Sequence, residues 1–231
     1  MKINTLQIDR LYQFTRQHYV EYYDLQTELV DHLANAIEEQ WHENPKISFE
    51  EALQKEFKKF GVFGFMDVVE KRQAAMNKKY NKIVWNHFKT FFKLPQIIGT
   101  FSAIGILFLI LRNSSQATVI ISIFALATMV SFWIAISFSA RKRKKLAKEQ
   151  GKKWLFNEII FGYSSIVGMS YLPLQFLIHF ENHYNQFMLL MMSVVLVFMV
   201  VLEYIILILI PSKAEEYLQQ TYPEFQAANS L

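Results

Sequence analysis

Apolar residues follow two different patterns along the chain. In residues 1–80 they recur every third or fourth position among charged residues, which is the spacing of amphipathic helices. After residue 90 they form long runs that contain few charges. The two patterns predict an all-α protein, in which a small cytoplasmic helical bundle (residues 1–80) is followed by a transmembrane helical bundle with a short cytoplasmic tail (residues 81–231).

The long apolar runs are the predicted membrane spans. A helix needs about 20 apolar residues to cross the hydrocarbon core of a bilayer. Four segments meet this requirement, and they cover about residues 91–111, 117–140, 154–180 and 187–210. The alternative, that one of them is a buried helix of a large soluble fold, is disfavoured because so many long runs follow one another closely.

The periodic half of the chain predicts four amphipathic helices, which cover about residues 5–17, 23–43, 49–60 and 65 onwards. Ser48 with Glu51 three positions later forms a capping box, which is a signal for a helix start. Gly61 suits the C-terminal end of the same helix. We expect the fourth helix to continue past Lys79 towards the first span.

Three motifs in this half resemble a known domain. They are Glu28-Leu29-Val30-Asp31-His32-Leu33-Ala34-Asn35-Ala36-Ile37-Glu38-Glu39, Ser48-Phe49-Glu50-Glu51-Ala52 and Phe60-Gly61. Together they resemble the short helical HAAS domain and the related prefix domain of some bacterial permeases, over about residues 5–75 and over no membrane span. That family often places proline after its glycine, whereas Val62 and then Gly64 follow here.

The resemblance implies a bacterial protein of the cell inner membrane. It further implies that the cytoplasmic domain signals to another protein or is governed by one. In such families the partner is often a PadR-type transcription regulator, and this partner is implied by the resemblance alone.

The distribution of charge predicts the orientation in the membrane. The loop at residues 141–153 contains eight basic residues, whereas Arg112 is the one basic residue of the opposite face. By the positive-inside rule both termini are therefore cytoplasmic. No apolar signal segment follows Met1, which agrees with a cytoplasmic N-terminal domain. Direct nucleic-acid binding is not expected, because residues 1–79 carry 11 basic and 13 acidic side chains.

The same basic loop is a candidate site for anionic lipid head groups. The candidate residues are Arg141, Lys142, Arg143, Lys144 and Lys145. Topology alone also accounts for this charge, so membrane lipid is an expected partner without a dedicated site.

Three polar residues in the predicted spans are candidate intramembrane sites: Glu203, Glu158 and Asn157. A carboxyl group inside the bilayer costs a few kcal/mol, so it normally faces other helices or water. Glu203 has three open interpretations. It is protonated and hydrogen-bonded to a neighbouring helix, it belongs to an ion or proton path, or it contacts a partner membrane protein.

The surface of the second helix is the candidate face for a protein partner, and its residues are Glu28, Asp31, His32, Glu38 and Glu39. A stripe of small residues in the second span (Ala127, Ser131, Ala135, Ser139) permits close helix contact and homodimerisation without requiring either.

We find no catalytic constellation, cofactor motif or convincing metal-ligand set in the sequence. With no cysteine, thiolate chemistry is excluded. The leading hypothesis is therefore a non-enzymatic regulatory or signalling membrane protein whose cytoplasmic domain binds a partner. The alternative is a small transporter or transporter subunit that uses Glu203 and Glu158, and a membrane-embedded enzyme is third.

Overall fold

The computed structural model describes residues 2–162, 184–223 and 225, and the regular structure of these residues is entirely helical. The helices are α1 (Thr5–Gln17), α2 (Tyr23–Glu43), α3 (Phe49–Lys58), α4 (Met66–Thr90), α5 (Gln96–Asn113), α6 (Ala117–Gln150), α7 (Leu155–Phe161), α8 (Gln186–Tyr204) and α9 (Ala214–Thr221). The prediction of an all-α protein is therefore confirmed for the described part of the chain.

The chain divides into two compact units. The first unit contains Met1–Lys78, Ala147–Glu158 and Tyr222–Leu231, as far as these are described, and the second contains Lys79–Leu146 and Ile159–Thr221. The first unit thus includes two segments from distant parts of the chain in addition to the N-terminal residues. The predicted division at residue 80 did not include these two segments.

The N-terminal helices begin where the local sequence signals place them. Asn4 caps α1 in a capping box with Gln7, and the Ser48 hydroxyl accepts the Glu51 N–H at the start of α3. The apolar stripe of α2 is buried at Leu25, Leu29, Leu33 and Ile37, as the three-and-four spacing requires. The predicted helices at 5–17 and 23–43 are confirmed.

Two glycines make the turn between α3 and α4. Gly61 and Gly64 have φ angles of +78° and +56°, in the left-handed region that favours glycine. A Cβ atom on Gly64 would lie 2.9 Å from the ring of Phe57, whereas one on Gly61 would meet nothing within 4 Å. The third helix ends at Lys58 with Lys59 as its C-cap, so Gly61 lies in the turn beyond the cap and not at the helix end that the sequence predicted. Gly64 allows the close approach of Phe57.

The fourth helix is long. As expected, α4 runs past Lys79 and ends at Thr90. Within the second unit its C-terminal half contacts α9: Lys79 Nζ donates to Thr221 Oγ1 at 2.8 Å, and His87 Nε2 lies 2.6 Å from the Tyr217 hydroxyl. Burial lowers the pKa of His87 below 6.5, with a further contribution from the charge of Lys213.

Among the described residues, three helices are long and apolar enough to cross a membrane, and they are Gln96–Asn113, Ala117–Lys142 and Gln186–Ser212. In the most apolar 18-residue stretch of each helix, only 17%, 22% and 33% is buried within the protein. So much exposed apolar helix surface suits a lipid environment and disfavours a buried helix of a soluble fold. Most of the third predicted span, residues 154–180, lies outside the described residues.

The boundaries of the spans differ from the predicted ones at two places. The first apolar helix begins at Gln96 and not near residue 91, because residues 91–95 form turns ahead of it. The second apolar span ends at Lys142, two residues past the predicted end at residue 140, while α6 itself continues to Gln150. Six of the ten residues in this extension (141–150) are Lys or Arg, which favour helix.

The last apolar helix changes its winding before Pro211. Residues Ile205–Leu209 form a π-helical turn, in which the Ile210 N–H donates to the Ile205 carbonyl, and the helix then ends at Ser212. Proline has no N–H to continue the α-helical pattern, so a break near this position is expected. The buried contacts between α5, α6 and α8 are made by Leu111, Ile121, Leu189, Met192 and Leu196.

Candidate functional site

A buried carboxyl group lies at the point where the three parts of the first unit meet. Asp24, in the first turn of α2, is 6% exposed. Its Oδ1 accepts the N–H of Leu155 at 3.1 Å, and its Oδ2 accepts the hydroxyl of Tyr222 at 2.8 Å. The Tyr222 oxygen in turn accepts the N–H of Phe156 at 3.2 Å. We call this group of four residues the Asp24 junction.

The Asp24 junction supplies hydrogen-bond acceptors to the first N–H groups of a helix. Leu155 and Phe156 are the first two residues of α7, and their N–H groups cannot be bonded within that helix. Asp24 and Tyr222 supply acceptors from two other segments, which replaces the usual cap from a neighbouring residue. The position of α7 therefore depends on contacts that are 131 and 66 residues away in sequence.

Aromatic packing encloses the Asp24 junction. Trp154 is 1% exposed, and its ring lies 5.3 Å from Tyr23, 4.8 Å from Tyr222 and 5.2 Å from Phe225, measured between ring centroids. Aromatic pairs at these distances add to the stability gained from burial. The polar group at Asp24 is consequently shielded from water on the side of these rings.

The segment before α7 is attached to α2 by further bonds. The Tyr23 N–H donates to the carbonyl of Lys153 at 2.7 Å, and Lys153 Nζ forms an ion pair with Glu21 at 2.9 Å. Hydrogen bonding to Glu21 raises the pKa of Lys153 above 10.5, so its ammonium group is charged at neutral pH.

Burial sets the protonation behaviour of the Asp24 junction. It raises the pKa of the Asp24 carboxyl above 3.8, although the donors from Leu155 and Tyr222 and the charge of Arg72 act in the opposite direction. Burial, with the nearby Asp24 carboxylate, also raises the pKa of the Tyr222 hydroxyl above 10.0. Tyr222 therefore remains a donor at all ordinary pH values. The Asp24 junction therefore holds the segments at Leu155 and Tyr222 against α2, and this contact can respond to the protonation of Asp24.

Asp24 shares a helix face with the predicted partner surface. The residues Asp24, Glu28, Asp31 and Glu38 recur at helical spacing along α2. Asp31, His32 and Glu39 are exposed, as a partner surface requires. Glu28 forms an ion pair with Arg72 at 3.6 Å, and Glu38 accepts the Ile3 N–H at 2.9 Å. Among the described residues, the exposed positions of the predicted face that form no ion pair are Asp31, His32 and Glu39, and Glu28 is exposed as well.

Glu203 lies in α8, and its partner is a serine of the predicted small-residue stripe. Ser131 Oγ lies 3.1 Å from Glu203 Oε2 and 2.8 Å from the Thr128 carbonyl. A serine has one hydroxyl hydrogen, so both contacts are satisfied together when Glu203 is protonated and donates to Ser131. This geometry fits the first interpretation of Glu203. The other oxygen, Oε1, is buried and has no hydrogen-bond partner among the described residues.

The remaining predicted site residues lie in different units. Asn157 and Glu158 are in α7 and belong to the first unit, whereas Glu203 belongs to the second. The basic residues Arg141, Lys142, Arg143, Lys144 and Lys145 all lie in the C-terminal part of α6. Of these, Lys142 places its ammonium group 5.3 Å from the ring centroid of Phe161, a cation–π contact.

Sequence reasoning missed Asp24, Trp154 and Tyr222. Asp24 could have been found from the periodicity of the α2 face, because it precedes Glu28 by four positions. Trp154, Leu155 and Phe156 were included in a predicted span because they are apolar and adjoin a long apolar run. No local signal indicates that Tyr222 bonds to a residue 198 positions away.

Comparison with known proteins adds no relative. The chain matches no protein-family model, no curated protein and no solved structure. The resemblance to the HAAS domain therefore stays a prediction, and the function must be argued from the geometry alone.

Proposed function

We propose that the protein is a non-enzymatic, multi-pass membrane protein with a regulatory or signalling role, whose N-terminal helical domain binds a protein partner. The Asp24 junction carries this proposal. It joins α2, which presents the partner face, to the segments that follow α6 and α9. α6 contains an apolar helix long enough to span a membrane. A partner that binds α2 thereby acts on the two segments, after α6 and after α9, that connect this domain to the spans.

The physical basis is a docking equilibrium of the segments at residues 152–158 and 222–225. Docking buries Trp154 and Tyr222 and makes the bonds to Asp24. A partner shifts such an equilibrium only by binding the docked and undocked forms with different affinity. Because Asp24 and the exposed face of α2 share one helix, a partner that repositions this helix has that differential affinity.

The same contacts support the part of the proposal that the chain has four spans. Leu155 and Tyr222 both bond to Asp24, so they lie on the same side of the membrane as the N-terminal domain. The chain between them must then cross the membrane an even number of times. α8 provides one crossing, and the apolar run that the sequence predicts as a span at residues 154–180 is the proposed second crossing. Together with the positive-inside count, this arrangement gives cytoplasmic termini.

The experiment is an affinity capture from native membranes with the full chain and two charge-matched variants. In the first, Asp31→Lys and Glu39→Lys reverse the exposed acidic part of α2. In the second, Asp9→Lys and Glu70→Lys reverse two exposed acids on α1 and α4. We expect a protein that the wild type and the second variant capture and that the first loses at least tenfold. Equal recovery by both variants would refute the proposed partner face.

A transporter is the second candidate function, and the observation that favours it is the buried Oε1 of Glu203 without a partner. An ion or a proton carrier needs such an acceptor inside the membrane. Replacing Glu203 with Gln keeps the size and the bond to Ser131 but removes the exchangeable proton. Transport predicts that ion or proton flux in proteoliposomes collapses in this variant. Flux that is absent in the wild type, or equal in both proteins, excludes this role for Glu203.

A further inference from the structure

A second feature of the first unit is a cavity next to the Asp24 junction. It has a volume of about 530 Å³, within the range of about 300–1,000 Å³ typical of small-molecule sites. One wall comes from the end of α1 and the start of α2, with Arg16, Glu21 and Tyr23. The other wall is Gly151, Lys152 and Lys153, the chain between α6 and α7.

Backbone geometry places two lysines in this second wall. Gly151 has a φ angle of +61°, a left-handed conformation that commonly ends a helix. The chain turns there, and Lys152 Nζ then lies 4.6 Å from the ring centroid of Tyr23. Lys153 is held by its ion pair with Glu21. These contacts hold one wall of the cavity against the start of α2.

Among the residues that the structure describes, the cavity walls carry more basic than acidic side chains, and the charges of Lys153 and Glu21 are paired with each other. Arg16, Lys152 and Lys153 contribute three cations, and Glu21 contributes one anion. Arg16 has no carboxylate within ion-pair distance among the residues that the structure describes. A guanidinium group binds phosphate through paired hydrogen bonds, and a lysine adds a point charge.

We propose that this cavity binds a phosphate-bearing ligand, either the head group of an anionic phospholipid or a soluble phosphate ester, through Arg16, Lys152 and Lys153. The two sources share the same recognition chemistry. The volume exceeds what inorganic phosphate alone fills, so the ligand carries an organic part.

The ligand stabilises the docked form of the Asp24 junction. Residues 151–153 form one wall of the cavity, so the site is complete only while this segment is docked on α2. A ligand that binds one form of a protein stabilises that form by mass action. This step rests on the docking equilibrium of the proposed function, and it names the small molecule that sets that equilibrium.

The test uses the full chain in lipid nanodiscs and measures amide hydrogen exchange at Leu155 and Phe156, whose N–H groups report docking. One arm compares phosphatidylcholine discs with discs that contain phosphatidylglycerol. The other adds inorganic pyrophosphate or ATP to phosphatidylcholine discs. At ten times its Kd, a bound ligand is expected to slow this exchange about tenfold. Slowing by lipid alone indicates a head group, and slowing by the soluble probes indicates a phosphate ester.

The control variants separate the cavity from general attraction of anions. Arg16→Gln with Lys152→Gln should reduce the slowing at least fivefold, whereas Lys46→Gln with Lys55→Gln, on exposed positions outside the cavity, should retain it. No slowing in either arm, or equal slowing in both variants, overturns the ligand site. Amides that exchange freely in the absence of any ligand would instead overturn the docked junction and with it the proposed function.

Discussion

Asp24 connects two distant segments through a single side chain. Replacing it with Ala leaves the Leu155 N–H and the Tyr222 hydroxyl without their acceptor, and each buried unsatisfied group costs about 1–3 kcal/mol. We therefore expect Asp24→Ala to lower the free energy of unfolding of the first unit by roughly 2–5 kcal/mol. Asp24→Asn keeps an oxygen for Leu155 and should cost less than half as much. Thermal unfolding in nanodiscs measures both, and equal losses would contradict the hydrogen-bond explanation.

The raised pKa of Asp24 gives its contribution a definite pH dependence. The docked form binds the proton more tightly than the undocked form, whose pKa is near 3.8. Docking is therefore most stable at low pH, and it weakens as the pH rises from 3.8 through the raised pKa of the folded state. The unfolding temperature of wild type should fall relative to that of Asp24→Asn across this window. A difference that stays constant with pH would show that Asp24 does not titrate there.

The turn between α3 and α4 allows a matched comparison of two glycines. Gly61→Ala introduces a left-handed alanine into open space, which costs about 1–2 kcal/mol. Gly64→Ala adds to this strain a contact of 2.9 Å with the Phe57 ring. We expect Gly64→Ala to be the more destabilising by at least about 1 kcal/mol, as measured by thermal unfolding. The opposite order would mean that the Phe57 ring moves away without cost.

Helices whose ends are encoded locally were the predictable part of this fold. The bounds of α2 follow from its apolar stripe, and the start of α3 follows from Ser48 and Glu51. α7 was not predictable, because its first turn is capped by residues far away in the chain. Hydropathy merged Trp154 and its neighbours with a long apolar run, although they pack inside the first unit. When an apolar segment packs against a distant part of the chain, its own sequence carries no periodic pattern from which that contact can be predicted.

At the scale of the whole molecule, the contacts of Asp24 restrict the path through the membrane, and labelling tests this restriction directly. The chain has no cysteine, so single cysteines can be introduced without removing any. Ser115→Cys lies between α5 and α6, Lys46→Cys between α2 and α3, and Gln219→Cys in α9. We expect an impermeant maleimide to label only Ser115→Cys in intact cells, and the other two after permeabilisation.

The decisive position in that experiment is Gln219, because it precedes Tyr222 by three residues. If Gln219→Cys is protected together with Lys46→Cys, the chain between Leu155 and Tyr222 crosses the membrane an even number of times. That result requires a second crossing besides α8, and the apolar run at residues 154–180 is the one long enough to provide it. Labelling of Gln219→Cys from outside would place Tyr222 across the membrane from Asp24. The 2.8 Å bond between them, and the regulatory role argued from it, would then both be excluded.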